Sequence, residues 1–328
     1  MQVSEIGEFG LIARLAEAIG AHPSADQVVG IGDDAAVWRA GETYLVATTD
    51  TLVEGVHFLP DLVPWNDLGW KALAVNVSDV AAMGAQPLFA LVTLALPPTT
   101  AVAAVDALYA GLAECCRRFD ISVSGGDIVR APSLSVTVAL IGRAESRNGR
   151  PLLLRRDGAR PGDVIAVTGT LGDSAAGLRR LRAGVSPTDP LVHTHLRPHP
   201  PLAFGQIAAR SGVACGIDIS DGLLLDAGHV CVMSGLTAVF RAEAVPMSAA
   251  LREAYPQEAL ALACTGGEDY QLLLTAPRAT IEALRAQTNV PITVIGRMSQ
   301  GEPRVKIVDE AGAEVRFEAA GWDHLAQP

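Results

Sequence analysis

The chain has 328 residues, of which 49% are hydrophobic and only 5% aromatic, so it can bury a sizeable core built from Ala, Val and Leu rather than rings. Its formal net charge of −11 argues against a nucleic-acid or anionic-membrane partner. Five cysteines without a CxxC spacing offer neither a disulfide framework nor a zinc site, and the longest apolar stretch, residues 87–98, is too short to span a bilayer.

In chain order, residues 5–18 place Phe9, Ile12, Leu15, Ala16 and Ile19 at helical spacing and predict an amphipathic helix. Glu5 and Glu8 stand where a signal peptide would carry positive charge, so a cytoplasmic protein is expected. Residues 43–49 read as a strand, 64–83 as a long helix, 88–96 as a strand, 99–119 as a helix, and 121–124 and 133–141 as strands. This pattern predicts an α/β half in which helices cover one face of a mixed sheet. A stretch rich in Arg, Gly and Pro follows at 143–163, which places a domain boundary between 1–148 and 149–328. The second half opens on a strand at 164–168 and a helix from Ala175. Strands at 215–219, 238–241, 270–275, 292–295 and 304–308 follow, with helices at 202–210, 223–233 and 278–286.

The chemistry concentrates in glycine-flanked aspartates: Gly30-Ile31-Gly32-Asp33-Asp34, Thr48-Thr49-Asp50-Thr51, Ser124-Gly125-Gly126-Asp127 and Asp218-Ile219-Ser220-Asp221-Gly222. Most follow apolar, β-branched runs, which puts them at strand ends. Gathered carboxylates repel one another and stay ionised together only with cations between them, and hard divalent ions such as Mg²⁺ take oxygen ligands. Asp79 lies in a helix apolar nearly all round, where a carboxylate needs a partner, so a metal contact is expected there too. Lys71 and Lys306 are the only lysines and neither follows a GxxxxG element, which excludes a P-loop. Phosphates would have to be met by metal ions, backbone N–H groups and arginines, with Arg130, Arg155, Arg156 and Arg160 as candidates. His193, His195 and His199 lie among prolines without companion ligands, and no zinc site is read there.

Further motifs complete a pattern that resembles the thiamine-monophosphate kinases over nearly the whole length. They include Gly7 to Phe9, Gly30 to Asp34, Thr49 to Val53, Gly55 to Pro60, Lys71 to Asp79 and Ala81 to Ala85. The second half adds Val167 to Leu178, Asp218 to Leu223, Gly266 to Tyr270 and Gly321 to His324. The resemblance implies an α/β (α+β), two-domain fold of the aminoimidazole ribonucleotide synthetase superfamily. In it an N-terminal mixed-sheet domain pairs into a homodimer whose sheets close a barrel, beside a C-terminal α/β domain. It also implies phosphorylation of thiamine monophosphate by ATP to thiamine diphosphate, assisted by several Mg²⁺ ions held between the domains. By position, Asp34, Thr48, Thr49, Asp50, Asp79, Asp127, Asp218 and Asp221 correspond to metal ligands, with Asp50, Asp127 and Asp221 closest to the transfer. Tyr109, Gly126, Asp127, Arg156 and Ser220 correspond to ATP contacts, and His57, Glu268 and Trp322 to substrate contacts. The chain departs from the pattern at Ile128 and Val129, where relatives carry threonines, and at Asp157, which adds negative charge beside Arg156. The alternative within the superfamily is another ATP-dependent enzyme, such as a selenophosphate synthetase or an aminoimidazole ribonucleotide synthetase, and the chain lacks the glycine-rich N-terminal segment with a reactive Cys expected of the former.

Overall fold

The computed structural model describes residues 2–20, 24–318 and 321–322. Its first half builds β1 (Gln27–Val29), β2 (Ala36–Ala40), β3 (Thr43–Val53), β4 (Gln86–Leu96), β5 (Ser122–Arg130) and β6 (Ser135–Ala144) into one sheet. The strand order is β1-β2-β3-β6-β4-β5, antiparallel except for the β4–β5 pair. Helices α1 (Gly7–Ile19), α2 (Trp65–Ala82) and α3 (Val102–Phe119) accompany it. A short hairpin of β7 (Ser146–Arg147) and β8 (Arg150–Pro151) leads to the second half.

The second sheet contains β9 (Val164–Thr168), β10 (Cys215–Ile219), β11 (Thr237–Arg241), β12 (Gln271–Ala276), β13 (Ile292–Ser299) and β14 (Arg304–Val308). Its order is β10-β12-β9-β13-β11-β14, again antiparallel with one parallel pair, β11–β14. With it come α4 (Asp173–Arg182), α5 (Pro190–Leu196), α6 (Leu202–Arg210), α7 (Leu223–Ser234), α8 (Ala249–Ala254), α9 (Ala259–Thr265) and α10 (Arg278–Arg285). Each half is thus a mixed α/β unit, as expected from the alternation of elements, and the cores run across between them: Leu181, Val192 and Leu196 pack with the first half, Ala81 and Ala82 with the second.

Helix α2 organises the molecule. Fourteen of its eighteen residues, from Leu68 to Ala82, are buried, because it lies between the first sheet, α3 and the second half. Gly69 and Gly111 let α2 and α3 touch backbone to backbone: a Cβ on either would stand 1.8 or 1.7 Å from a carbonyl oxygen of the other helix. The apolar positions Val46, Leu52, Val92, Leu94, Val136 and Val138 face this side of the sheet. The opposite face is open. Phe89, Leu91, Val123, Ile128 and Val129 are exposed on it or on the edge strand β5, no residue of which is buried.

Two expectations about placement are corrected. Thr48, Thr49 and Asp50 lie in the middle of β3 rather than at its end. Gly125, Gly126 and Asp127 are paired residues inside β5, not a turn after a strand. Gly126 is required there by close packing, since a Cβ on it would fall 1.8 Å from the Val92 carbonyl oxygen. The amphipathic α1 forms, but Ile12, Leu15 and Ile19 remain exposed.

Candidate active site

A cleft of about 580 Å³ separates the halves. One wall comes from residues 50–63 with Val75 and Asp79, the other from α4, His195, the loop after β10, and residues 262–270 with Trp322. At its acidic end, carboxylate oxygens of Asp34, Asp79 and Asp218 lie within 4.8 Å of one another. They arrive from three elements: the turn before β2, the last full turn of α2, and β10. Alternation along β3 puts Thr48 and Asp50 on the same side of the strand as the buried Val46 and Leu52, toward α2. The Thr48 hydroxyl donates to Asp79 Oδ2, and Ser78 Oγ donates to Asp218 Oδ2 at 2.6 Å. Thr49 is exposed on the other face of the strand and stands apart from this group.

These carboxyls are set in a hostile place for charge. Burial first, then the neighbouring carboxylates Asp50, Asp218 and Asp34, drives Asp79 well above the usual carboxylate range. Burial and the nearby Asp34 push Asp218 up to about 8. Burial and Asp34 also raise Asp33 to about 6. Asp34 is raised by burial against the opposing pull of Arg156, whose Nη2 lies 2.6 Å from Asp34 Oδ1. Asp34 Oδ2 is buried with no hydrogen-bond partner. An all-oxygen set with an orphaned buried acceptor fits a hard dication, which would supply the charge the protein withholds.

Arg156 is the phosphate-binding candidate that reaches this end, held by Asp34 and with its Nε 4.0 Å from Asp33 Oδ1. The added charge of Asp157 is taken up elsewhere, by Arg155 at 2.6 Å. Ser220 and Asp221 line the cleft just beyond Asp218. Their loop is organised by Asp226, a residue the sequence reading passed over. One of its oxygens accepts from the N–H groups of Ser220, Asp221 and Gly222 at 3.1, 3.1 and 3.0 Å. An aspartate in the first turn of α7, directly after an Asp-Gly turn, was the available signal.

The other end of the cleft is more apolar. His57, whose Nδ1 accepts from the Val53 N–H at 3.0 Å, lines it with Phe58, Leu59 and Leu62. Trp322 closes it, 54% exposed, its backbone N–H donating to the Asp221 carbonyl. Asp323 and His324 of the same motif lie outside the described residues. Glu268 projects here from the Gly266–Tyr270 loop. Burial raises its pKa, but Lys71 and the histidines 195 and 57 outweigh that and hold it below the ordinary glutamate value. Lys71 and His195, neither assigned a role from sequence, are its partners.

Tyr109, Gly126 and Asp127 are not brought to this cleft within one chain. Asp127 pairs with Thr93, Thr93 with Thr137, and Thr137 with Thr51, so three strand spacings, roughly 14 Å, separate Asp127 from Thr51.

Comparison with known proteins identifies the family. The family model described as AIR synthase related protein, N-terminal domain, matches residues 32–144, and that of the C-terminal domain matches residues 160–308. The chain is 42% identical over 335 residues to thiamine-monophosphate kinase of Salmonella typhimurium, covering 98% of this chain and 99% of that one. This chain belongs to the thiamine-monophosphate kinase family. Among solved structures it is similar to AaThiL complexed with AMPPCP and TMP, with a TM-score of 0.86 and 37% identity over 99% of each chain. It is also similar to the Aquifex aeolicus thiamine monophosphate kinase, with a TM-score of 0.79 and 34% identity over 96% of this chain and 99% of that one. In this family member α2 contributes to both ends of the cleft, with Asp79 at the acidic end and Lys71, through Glu268, at the other.

Proposed function

We propose that this chain transfers the γ-phosphoryl group of ATP to the phosphate of thiamine monophosphate, giving thiamine diphosphate and ADP. The observation that carries the reading is a single cleft with clustered carboxylates at one end and His57, Glu268 and Trp322 at the other. It occurs in a chain matched end to end with a relative solved with AMPPCP and TMP.

The acceptor phosphate already carries a nucleophilic oxygen, so the residues need to position and neutralise rather than remove a proton. Two unit charges about 4 Å apart repel by roughly 4 kcal/mol at an effective dielectric of 20, and several such pairs arise when two phosphates meet. Mg²⁺, when bound by Asp34, Thr48, Asp50, Asp79, Asp218 and Asp221, would supply the positive charge that offsets this repulsion, while Thr49 and Asp127 stand apart from this group in one chain. Asp50 and Asp221 also line the cleft and would hold cations, which in turn would set where the like-charged donor and acceptor phosphates meet. Arg156 adds fixed positive charge beside Asp34, and Ser220 offers its loop to the phosphates. His57 and Glu268 orient the organic part of the acceptor, and the Trp322 indole packs beside its flat rings.

We assign residues 1–148 to nucleotide and cation binding and 149–328 to completing the cleft. Tyr109, Gly126 and Asp127 belong in this reading to a homodimer in which a second chain covers the open sheet face. The exposed Phe89, Leu91, Val123, Ile128 and Val129 support that assembly. A cytoplasmic setting fits the five unpaired cysteines.

Incubation with ATP, Mg²⁺ and thiamine monophosphate, with mass detection of thiamine diphosphate, tests the reading. ADP formation without the diphosphate would overturn it. Asp50→Asn should lower turnover and raise the Mg²⁺ concentration required, and unchanged rates at limiting Mg²⁺ would remove Asp50 from the site.

A further inference from the structure

Lys71 is 4% exposed in the middle of α2, whose other buried positions there are Trp70, Ala72, Leu73, Ala74 and Val75. An ammonium in such surroundings is costly, and a leucine or methionine would pack there at lower cost. Its Nζ lies 2.7 Å from Glu268 Oε1, across the boundary between the two halves. The second oxygen of Glu268 is 3.3 Å from His195 Nδ1, which is itself 3.1 Å from Ser174 Oγ. Burial and the Lys71 charge push His195 down to about 3, so Lys71 is the foremost cation balancing the carboxylate from behind, ahead of the histidines 195 and 57.

The loop that presents Glu268 is under strain. Glu268 and Tyr270 both adopt left-handed backbone, with φ of 66° and 49°. The strain is held by clamps on either side. Glu268 N–H donates to the Ser220 carbonyl at 2.6 Å and Tyr270 N–H to the Ile219 carbonyl at 2.8 Å. Asp269 accepts from the Gly172 and Ser174 N–H groups at the start of α4. Gly267 makes the approach possible, since a Cβ on it would stand 2.6 Å from the Ser220 carbonyl oxygen. The side chain of Glu268 keeps 25% of its surface open and lines the cleft.

We infer that Lys71 is a positioning residue. It fixes the Glu268 carboxylate across the domain boundary as a preset acceptor for the cationic, amine-bearing organic part of the acceptor substrate. The inference rests on the kinase reading above and adds to it a residue that acts only through Glu268. A carboxylate locked from behind loses little freedom when substrate arrives, so the gain appears in recognition of that substrate and not of ATP.

The test is a double-mutant cycle with Lys71→Met and Glu268→Gln, measured by steady-state kinetics with each substrate varied in turn. Lys71→Met should raise KM for thiamine monophosphate by about tenfold or more while changing KM for ATP by less than about threefold. In the Glu268→Gln background the same substitution should add less than about twofold, because the carboxylate it positions has gone. Equal rises in both KM values, or effects that multiply independently, would overturn the role of Lys71. Should Lys71→Met fail to fold, Lys71→Gln takes its place in the cycle and is read by the same ratios. Wild-type protein unable to phosphorylate thiamine monophosphate would overturn the kinase reading and this inference with it. Normal wild-type turnover without a substrate-specific defect in Lys71→Met would overturn the inference alone.

Discussion

Ser78 Oγ donates to Asp218 Oδ2 at 2.6 Å, a buried hydrogen bond that ties α2 of the first half to β10 of the second where the carboxylates gather. The bond favours the ionised carboxylate, whereas burial favours the neutral acid. Ser78→Ala should therefore leave Asp218 harder to ionise and cost about 1–2 kcal/mol of stability. Urea unfolding without added metal checks the cost. A Mg²⁺ titration of activity checks the second effect, which should appear as a higher half-saturating concentration.

The stability of the metal-free protein should fall as pH rises from about 4 to about 8. Asp33 and Asp218 have native pKa values raised to about 6 and about 8, above their unfolded value of 3.8. In that window the native state keeps protons that the unfolded chain releases, so each step upward in pH favours unfolding. Asp34, Asp79 and Asp226 are shifted the same way. Glu268, held low, works in the opposite sense below the ordinary glutamate range, and His195 and His229, held down to about 3 and about 4, oppose the decline below about 6.5. Thermal melts in chelator at pH 5, 6, 7 and 8 should show the decline, and saturating Mg²⁺ should flatten it.

Asp226→Ala should disable the cleft without touching its lining. The substitution removes the acceptor for three N–H groups and costs about 3 kcal/mol, by the usual net value of one hydrogen bond each. Turnover should fall by about tenfold or more as Ser220 and Asp221 lose their fixed places. Asp226→Asn, which keeps an acceptor oxygen in the same place, should recover most of both losses. Equal activity in all three proteins would show that the loop is held by other contacts.

Ile128→Asp should yield monomers. The side chain is 70% exposed on β5 of a single chain, and a charge there would have to be buried in the proposed assembly. Sedimentation velocity of wild type and variant gives the answer directly, and a monomeric wild type would dismiss the dimer.

Elements with clear boundaries were readable because those signals are local. β9, β10, β14 and α6 take the bounds expected from sequence, being apolar runs closed off by glycine, proline or charge. The short elements β1, β2, α5, α8 and α9 escaped because a few residues carry little periodicity. Clustering of Asp34, Asp79 and Asp218 was legible from the cost of unpaired carboxylates. Their strand positions were not: Thr48 and Asp50 look like a strand's end, yet they sit mid-strand where α2 covers them. Gly125-Gly126 looks like a turn, yet Gly126 is an accommodation to Val92 one strand away. Lys71 and His195 escaped because their partner, Glu268, lies some two hundred and some seventy residues further along the chain, and nothing local announces such pairings.

Lys71 and Asp79 share one straight helix, eight residues apart, which is about 12 Å of axial rise. A single rod therefore acts as the ruler between the heterocycle and the phosphate of the proposed acceptor. Analogues with a longer spacer between ring and phosphate would overshoot one mark or the other, and no side-chain adjustment at either end could restore both.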